Sequence, residues 1–405
     1  MPALPDGLTV REANPDDHEG IIAVCTEAFD AHEGAAVRHL LTIPGYGPGR
    51  WTVAVDADGA VVSCCALLTH RLRYGDIDVP AAQIEFVATR DHVRKQGLVR
   101  TQFDLHHRWA AEQGALVVLI TGIPYLYRRL GYGYGFAYAP QHRLLEAPAA
   151  PEGWTVDLAS PGDRPEIERL QEQAQGRFDL ALRWPDEAWS WLLAGAPSWD
   201  EQVLVAREGG TVGGFVRVQL RPDENYAVAE GAADALAPAQ ALLAETASRS
   251  GGLRLFLLER EGDPWGAAVR AAGVTDPAWF NAVYARIPDP VAFLDHVRPE
   301  LSARLAASAL AGESGALVLS FYEDGVILDY AAGEVTGVRR DPDPALDPMD
   351  DDQPGIAPDA MPALLLGRFG ARELEVRFDD VGYVADRGLV AALFPRLLAD
   401  LSAPL

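Results

Sequence analysis

The chain has few cysteines. Of its 405 residues only three are cysteine, namely Cys25 and the adjacent pair Cys64 and Cys65. Three thiols cannot build the disulfide framework of a small secreted domain, and neighbouring side chains in a strand point to opposite faces. We therefore expect reduced thiols in the core.

The histidines lack the spacing of a metal site. His106 and His107 are consecutive, so on a helix their side chains diverge instead of sharing one face. No Cys or His pattern in the sequence has the ligand spacing of a zinc site. The sequence thus predicts no metal.

Long apolar runs are also missing. None reaches the roughly 20 residues that a membrane-spanning helix needs. The first residues, Met1 to Asp6, lack the basic and then apolar pattern of a secretion signal. We expect no membrane span and a cytoplasmic protein. With 405 residues the chain is too long for one ordinary core, which predicts two or three domains.

Positive charge is scarce. The chain has 34 Lys and Arg against 59 Asp and Glu, for a net charge of -25. Nucleic acid is therefore not an expected partner, because binding its phosphates needs a basic face. The acidity favours a cationic small molecule as partner, although it also fits a role in solubility alone.

A basic turn around a glycine interrupts this acidic sequence. It follows an apolar strand predicted at 83–89 and precedes an amphipathic helix predicted at 98–111. Free amides at a helix start carry partial positive charge, and Gly97 lets the backbone approach an anion. The turn predicts a pyrophosphate site, the alternative being a helix start with solvated cations. The residues assigned to it are Arg94, Lys95, Gln96, Gly97, Leu98, Val99 and Arg100.

The spacing of this turn resembles the acetyl-CoA loop of the Gcn5-related N-acetyltransferases (GNAT). Arg94 and Gly97 match its Arg/Gln-x-x-Gly core, whereas Val99 replaces the small residue usual at the sixth position. A second apolar strand at 116–121 precedes Tyr127 to Tyr132, which fits the Tyr-x-x-x-Gly-aromatic pattern of that fold. The resemblance implies acetyl-CoA as co-substrate.

The resemblance also implies roles for the two strands. Backbone groups of Val87 and Thr89 would pair with the pantetheine arm as an extra strand. Tyr127 would donate a proton to the departing thiolate. Alternatively, Tyr127 is one of several packing rings, with Tyr125, Tyr132 and Tyr134 as rivals for the role. The strand residues assigned to the cofactor are Phe86, Val87, Ala88, Thr89, Gly122 and Ile123.

The whole chain resembles the enhanced intracellular survival (Eis) family. The expected fold class is mixed α+β, with tandem acetyltransferase-like (GNAT) domains followed by a domain similar to sterol carrier proteins. The expected ranges are 1–150 for the catalytic domain, 151–287 for a degenerate second copy and 288–405 for the C-terminal domain. Ala147 to Gly153 and Ile287 to Pro290 mark the boundaries by composition.

This narrower resemblance implies acetyl transfer to primary amines of a polycationic acceptor such as an aminoglycoside, by direct attack in a ternary complex. It also implies a homo-oligomer, typically a hexamer. The carboxylate of Leu405 would be the general base, with Glu85 as a second candidate unless Glu85 only pairs with an arginine. Asp30 and Glu33 are candidates for lining the acceptor site. A catalytically inactive carrier of acyl-CoA or lipid is the alternative function.

Overall fold

The computed structural model describes most of the chain. No helix in the described part is long and apolar enough to cross a membrane. The described ranges are 4–42, 50–123, 125–137, 139–184, 186–193, 201–275, 282–322, 324–344, 353–383 and 386–402.

The secondary structure is mixed. The strands in chain order are β1 Thr9–Glu12, β2 Arg50–Val55, β3 Val61–Tyr74, β4 Ile77–Thr89, β5 Val117–Gly122, β6 Gly133–Phe136, β7 Gln141–Leu144, β8 Trp154–Leu158, β9 Leu180–Arg183, β10 Glu201–Glu208, β11 Thr211–Arg221, β12 Tyr226–Ala233, β13 Arg254–Leu258, β14 Gly273–Thr275, β15 Ala282–Arg286, β16 Ser314–Ser320, β17 Gly325–Ala331, β18 Glu334–Arg340, β19 Gly355–Ile356, β20 Val381–Gly382 and β21 Ala399–Asp400. The helices are α1 His18–Ala28, α2 Ala31–Thr42, α3 Leu98–Glu112, α4 Arg164–Gln175, α5 Asp186–Leu193, α6 Leu236–Arg249, α7 Pro264–Ala272, α8 Pro290–His296, α9 Arg298–Ala306, α10 Met361–Leu365, α11 Ala371–Arg377 and α12 Arg387–Leu393.

The first sheet carries the predicted cofactor strand. Its order is β1-β2-β3-β4-β5-β15-β6, with β9 against β3 and β21 against β9. The β4 and β5 strands run parallel, and α3 is the crossover helix that joins them. On one face Ile84 and Ile120 pack with Phe103 of α3, and on the other Ala81 and Leu119 join the core of the C-terminal part.

The middle sheet has the order β14-β7-β13-β12-β11-β10-β8. The glycine pair Gly209 and Gly210 predicts a hairpin turn, and β10 and β11 form this hairpin, with Glu208 opposite Thr211. The β12 and β13 strands run parallel and are connected through α6. The middle sheet therefore shows the same succession as the first one, antiparallel strands and then a parallel pair, without a basic glycine turn before its crossover helix.

Several strands cross the boundaries expected from the sequence. The β7 strand, N-terminal to residue 150, pairs with β13 and β14 in the middle sheet. The β15 strand, from the range 151–287, lies between β5 and β6 in the first sheet. Composition marks linkers but not strand partners, so the expected ranges remain a prediction. The first sheet contains β9, β15 and β21 from beyond residue 150, and the middle sheet contains β7 from before it.

The C-terminal part holds the third sheet, of order β18-β17-β16-β19-β20, with helices α8 to α12. The amphipathic pattern over 291–310 predicts one helix, and this prediction is wrong, because α8 and α9 are separated at Val297. Pro299 has no N–H to donate to the carbonyl four residues earlier, and its ring crowds that carbonyl. The apolar runs at 316–322 and 325–330 predict a strand pair across residues 323 and 324, and the pairing of β16 with β17 confirms it, with Ser320 opposite Gly325.

The cysteines are buried thiols, as expected. The Sγ atoms of Cys25 and Cys64 are 3.5 Å apart. Cys64 packs with α1 on one face of β3, whereas Cys65 packs with α3 on the other.

Candidate active site

The site begins where β4 and β5 separate. The parallel register runs from Ala81 opposite Val117 to Ile84 opposite Ile120. Beyond it the described residues of β4 have no strand partner on the β5 side. The β4 strand has a bulge at this opening. Phe86 has a φ of 52°, and the pairing register with β3 shifts there. Bulges redirect a strand and often lie beside active sites.

The open edge of β4 presents the backbone groups that the sequence assigned to the cofactor. The N–H of Arg90 donates to the Val62 carbonyl at 2.9 Å, so this residue faces β3. Because facing alternates along an antiparallel strand, Ala88 also faces β3, and Val87 and Thr89 face the opening. An extended ligand could therefore pair there as an added strand.

The basic turn follows this edge directly. Lys95 has a φ of 65° and Gly97 a φ of 83°, and α3 begins at Leu98 as predicted. No side chain caps the helix start, so its first amides are available to an anion. A Cβ built on Gly97 meets nothing within 4 Å. Glycine is therefore required here by the backbone conformation and not by crowding.

The charged and the apolar side chains of the turn have different surroundings. Lys95 and Arg100 are exposed, whereas Arg94 is held by Asp91 at 2.8 Å and by the Thr89 carbonyl at 3.1 Å. Leu98 is buried and Val99 is half-buried against the core around α3. The hydrophobic pair thus anchors the helix and offers a ligand only its backbone.

Tyr127 lies at the end of β5, in a 3-10 turn over Tyr127–Leu130. Its ring is 5% exposed and stacks on Phe103 at 6.0 Å. A Cβ built on Gly122 would lie 3.5 Å from the phenol oxygen, which places that oxygen against the end of β5. Burial, with the charge of Glu85 adding to it, raises the pKa of Tyr127 far above its usual value. The phenol therefore keeps its proton.

The rival tyrosines have other surroundings. Tyr132 shares a hydrogen bond of 2.9 Å with His107, and Tyr134 stacks on Tyr284 at 5.2 Å. Tyr125 is 64% exposed. Burial raises the pKa of Tyr132 as well, but of these two phenols only Tyr127 is also influenced by the charge of Glu85 on the cofactor strand.

Glu85 is half-buried and accepts a hydrogen bond of 2.5 Å from the Gln83 side chain. Burial raises the pKa of Glu85 to about 7, and the charge of Glu33 contributes in the same direction. The arginine partner that the sequence allowed is not found among the residues that the structure describes. A carboxylate poised near neutral pH is suited to general base catalysis.

Asp30 and Glu33 lie where α2 begins. The Asp30 carboxylate caps the helix by accepting the Glu33 N–H at 2.8 Å. The Glu33 carboxylate is 3.7 Å from the Arg221 guanidinium of β11. The charge of Asp30 contributes to the raised pKa of Tyr226 of β12. The structure therefore brings both carboxylates to a seam with the middle sheet. Sequence reasoning missed Arg221 and Tyr226, because nothing local marks a contact between remote segments.

The predicted base Leu405 lies outside the described residues. Ser402 is the last residue described, and its carbonyl accepts a hydrogen bond of 2.6 Å from the Trp184 indole. Its hydroxyl accepts one of 3.0 Å from Arg260. The tail up to this point is therefore anchored on the middle part of the chain. Within the described ranges, no cluster of three or more Cys, His, Asp or Glu side chains could hold a metal ion.

Comparison with known proteins agrees with this geometry. Residues 9–135 match the sequence profile of the Acetyltransferase (GNAT) domain. No curated protein matches the chain. The matched residues contain the open edge of β4, the basic turn and Tyr127.

Solved structures resemble the chain over nearly its whole length. A probable N-acyltransferase from Enterococcus faecalis V583, described as a conserved protein of unknown function, is 14% identical with a TM-score of 0.70, covering 98% of this chain and 99% of that one. A GCN5-related N-acetyltransferase from Kribbella flavida is 18% identical with a TM-score of 0.66, covering 97% of both. Eis1 from Mycobacterium abscessus is 16% identical with a TM-score of 0.59, covering 98% of both. The TM-scores show a shared fold. With the domain match, the chain is an N-acetyltransferase that carries a GNAT domain at residues 9–135 and uses an acyl-CoA donor.

Proposed function

We propose that this enzyme transfers the acetyl group of acetyl-CoA to a primary amine of a polycationic small molecule, such as an aminoglycoside. The observation that carries the proposal is the open edge of β4 leading directly into the uncapped start of α3. An extended arm and a diphosphate fit these two features in that order. Burial of Tyr127 beside Glu85 adds an acid and a base at the point where β4 and β5 separate.

Donor binding divides between backbone and side chains. Amides from Lys95 to Arg100 hold the diphosphate, and the exposed cations Lys95 and Arg100 add charge. The backbone of Val87 and Thr89 pairs with the pantetheine amides. Gly122 and Ile123, at the end of β5, flank the arm from the other side, where Ile123 is 61% exposed.

The reaction is a direct attack in the ternary complex. The amine nitrogen forms a bond to the acetyl carbon, the carbon–sulfur bond breaks, and the electron pair leaves on sulfur. Glu85 takes the proton that the amine loses, which its pKa of about 7 permits near neutral pH. Tyr127 donates a hydrogen bond to the developing thiolate. Because burial raises the pKa of Tyr127, whose ordinary value already exceeds that of a thiol, the phenol keeps its proton, and the thiolate takes one from water as CoA leaves.

The acceptor site is acidic in part. Asp30 and Glu33 lie at the α2 end of the seam, and the charge of Glu33 contributes to the raised pKa of Glu85. Carboxylates hold an ammonium group but oppose its deprotonation, so an acceptor with several amines suits this division best. One ammonium is held at the seam while another, near Glu85, loses its proton.

The tail and the domain assignments extend this proposal. We infer a terminal carboxylate at Leu405 as a second base, an Eis-like arrangement of two acetyltransferase-like domains with a sterol-carrier-like C-terminal domain, and a hexamer. The succession of strands in the middle sheet and the likeness to Eis1 support the arrangement. Adding residues after Leu405 tests the carboxylate, because an extended enzyme with unchanged kcat would exclude it.

Release of free thiol from acetyl-CoA in the presence of an aminoglycoside tests the main proposal. We expect turnover that saturates in both substrates and a product whose mass is increased by one acetyl group. Calorimetry with CoA alone tests donor binding independently. Uptake of CoA without turnover on any polycationic amine would favour the carrier function instead.

A further inference from the structure

The segment that carries Tyr127 is held by the C-terminal part of the chain. The Arg128 guanidinium forms an ion pair with the Asp359 carboxylate, just before α10. Each side chain is about one third exposed, at 32% and 34%. Arg128 is the residue next to Tyr127, so this ion pair acts directly on the backbone of the catalytic turn.

Close packing reinforces the ion pair. A Cβ built on Gly133 would lie 2.1 Å from the Asp359 carbonyl oxygen, so the loop before α10 lies directly on β6. Arg368, which follows α10, donates a hydrogen bond to the Phe136 carbonyl at the other end of β6. Its guanidinium also lies 5.1 Å from the centre of the Tyr134 ring. The C-terminal part therefore contacts both ends of β6.

Aromatic contacts connect β6 to the start of the turn that carries Tyr127. Tyr134 stacks on Tyr284 of β15 at 5.2 Å, and the Tyr284 hydroxyl accepts the Tyr125 N–H at 2.9 Å. Tyr284 also lies 6.0 Å from the Tyr127 ring. Tyr125 and Leu126, just before the turn, are 64% and 40% exposed, so their own side chains contribute little packing there. The distant partners therefore contribute to holding the turn in position.

We propose that Asp359 and Arg368 are positioning residues for acetyl transfer, which fix the backbone around Tyr127 so that its phenol meets the departing sulfur. The proposal rests on the proposed function of Tyr127. A partly exposed ion pair contributes little to global stability. A misplacement of about 1 Å at a reacting group, however, costs up to about 100-fold in rate. The effect of these residues is therefore expected in kcat and not in folding.

Asp359→Asn tests the proposal against Asp329→Asn. Asp329 pairs with Arg339 in the same part of the chain, at 3.1 Å and with comparable exposure, but has no contact with the turn. We expect Asp359→Asn to lower kcat about ten-fold or more while the KM for acetyl-CoA stays within about two-fold. Asp329→Asn is expected to keep both constants, and Asp359→Glu to recover part of kcat by restoring the ion pair.

Hydrogen exchange of the peptide over 123–136 gives a second measurement that needs no acceptor. Faster exchange in Asp359→Asn than in Asp329→Asn, confined to this peptide, would support the proposal together with the fall in kcat. Unchanged kcat, or unchanged exchange, would overturn it. If the unmodified enzyme itself shows no turnover, the proposed function fails, and exchange alone then decides whether Asp359 holds the turn. Arg368→Gln repeats both measurements at the far end of β6.

Discussion

Replacing Glu85 by glutamine should remove the base from the reaction while leaving the strand intact. The substituted amide would keep an oxygen for the hydrogen bond that Gln83 donates at 2.5 Å. It would not take a proton from the amine. Positioned general bases contribute about 100-fold to 10,000-fold, so we expect Glu85→Gln to lower kcat by a factor in that range.

The pH dependence provides the sharper measurement. Burial raises the pKa of Glu85 from 4.5 to about 7, so the active, deprotonated form increases with pH across the neutral range. One pH unit below this pKa only about one tenth of the enzyme has the base form, and kcat is therefore expected to rise about ten-fold to a plateau above it. In Glu85→Gln this limb should be absent.

Glu33→Gln is the matched variant, because it removes a neighbouring charge and keeps Glu85. The charge of Glu33 raises the pKa of Glu85, so its removal should move the midpoint of the limb to lower pH. Thiol release at saturating substrates, over about three pH units, measures both effects. A Glu85→Gln enzyme with near-normal kcat and the same midpoint would refute the reasoning and leave the Leu405 carboxylate, or the amine itself, as the titrating group.

Three further changes have defined outcomes. Tyr127→Phe should lower kcat about 10-fold to 100-fold with little change in the KM for acetyl-CoA, and full activity would exclude the phenol from the reaction. Gly97→Val should raise the dissociation constant of CoA in calorimetry, because only glycine readily adopts its φ of 83°. Gly114→Val, with a φ of 75° and equally open surroundings at the far end of α3, is the control and should bind CoA normally. Glu201, whose side chain is buried in the middle sheet, has a pKa raised to about 7, so the folded state holds its proton more tightly than the unfolded state. The free energy of unfolding should therefore fall by about 3 kcal/mol at most as pH rises from about 4.5 to 7. In Glu201→Gln, thermal unfolding should show a stability that falls less with pH over this range. The same pH dependence in both proteins would contradict the assignment.

Local features of the site follow from short segments of sequence. The start of α3 at residue 98 was predicted from the amphipathic run and the glycine before it, and the structure confirms it. The faces of Val87 and Thr89 follow from strand alternation. Side-chain engagement was less predictable: Arg94, counted as a phosphate cation, is already paired with Asp91.

Long-range partners were not predictable in this way. The exchange of β7 and β15 between sheets depends on pairing strands more than 100 residues apart in the chain, as when Phe256 lies opposite Arg143. The Glu33 to Arg221 contact and the Arg128 to Asp359 ion pair have the same character. Periodicity and turn residues report only on neighbours within a few positions.

The sequence by itself predicted where the donor and the proton donor would lie, since a basic glycine turn before a helix and a tyrosine after the next strand are local features. Tertiary structure decided the environment of these residues. Burial of Glu85 brings its pKa to about 7, because removing a carboxylate from water disfavours its charge. Contacts from the C-terminal part hold the turn of Tyr127, and such contacts exist only once distant segments have packed together.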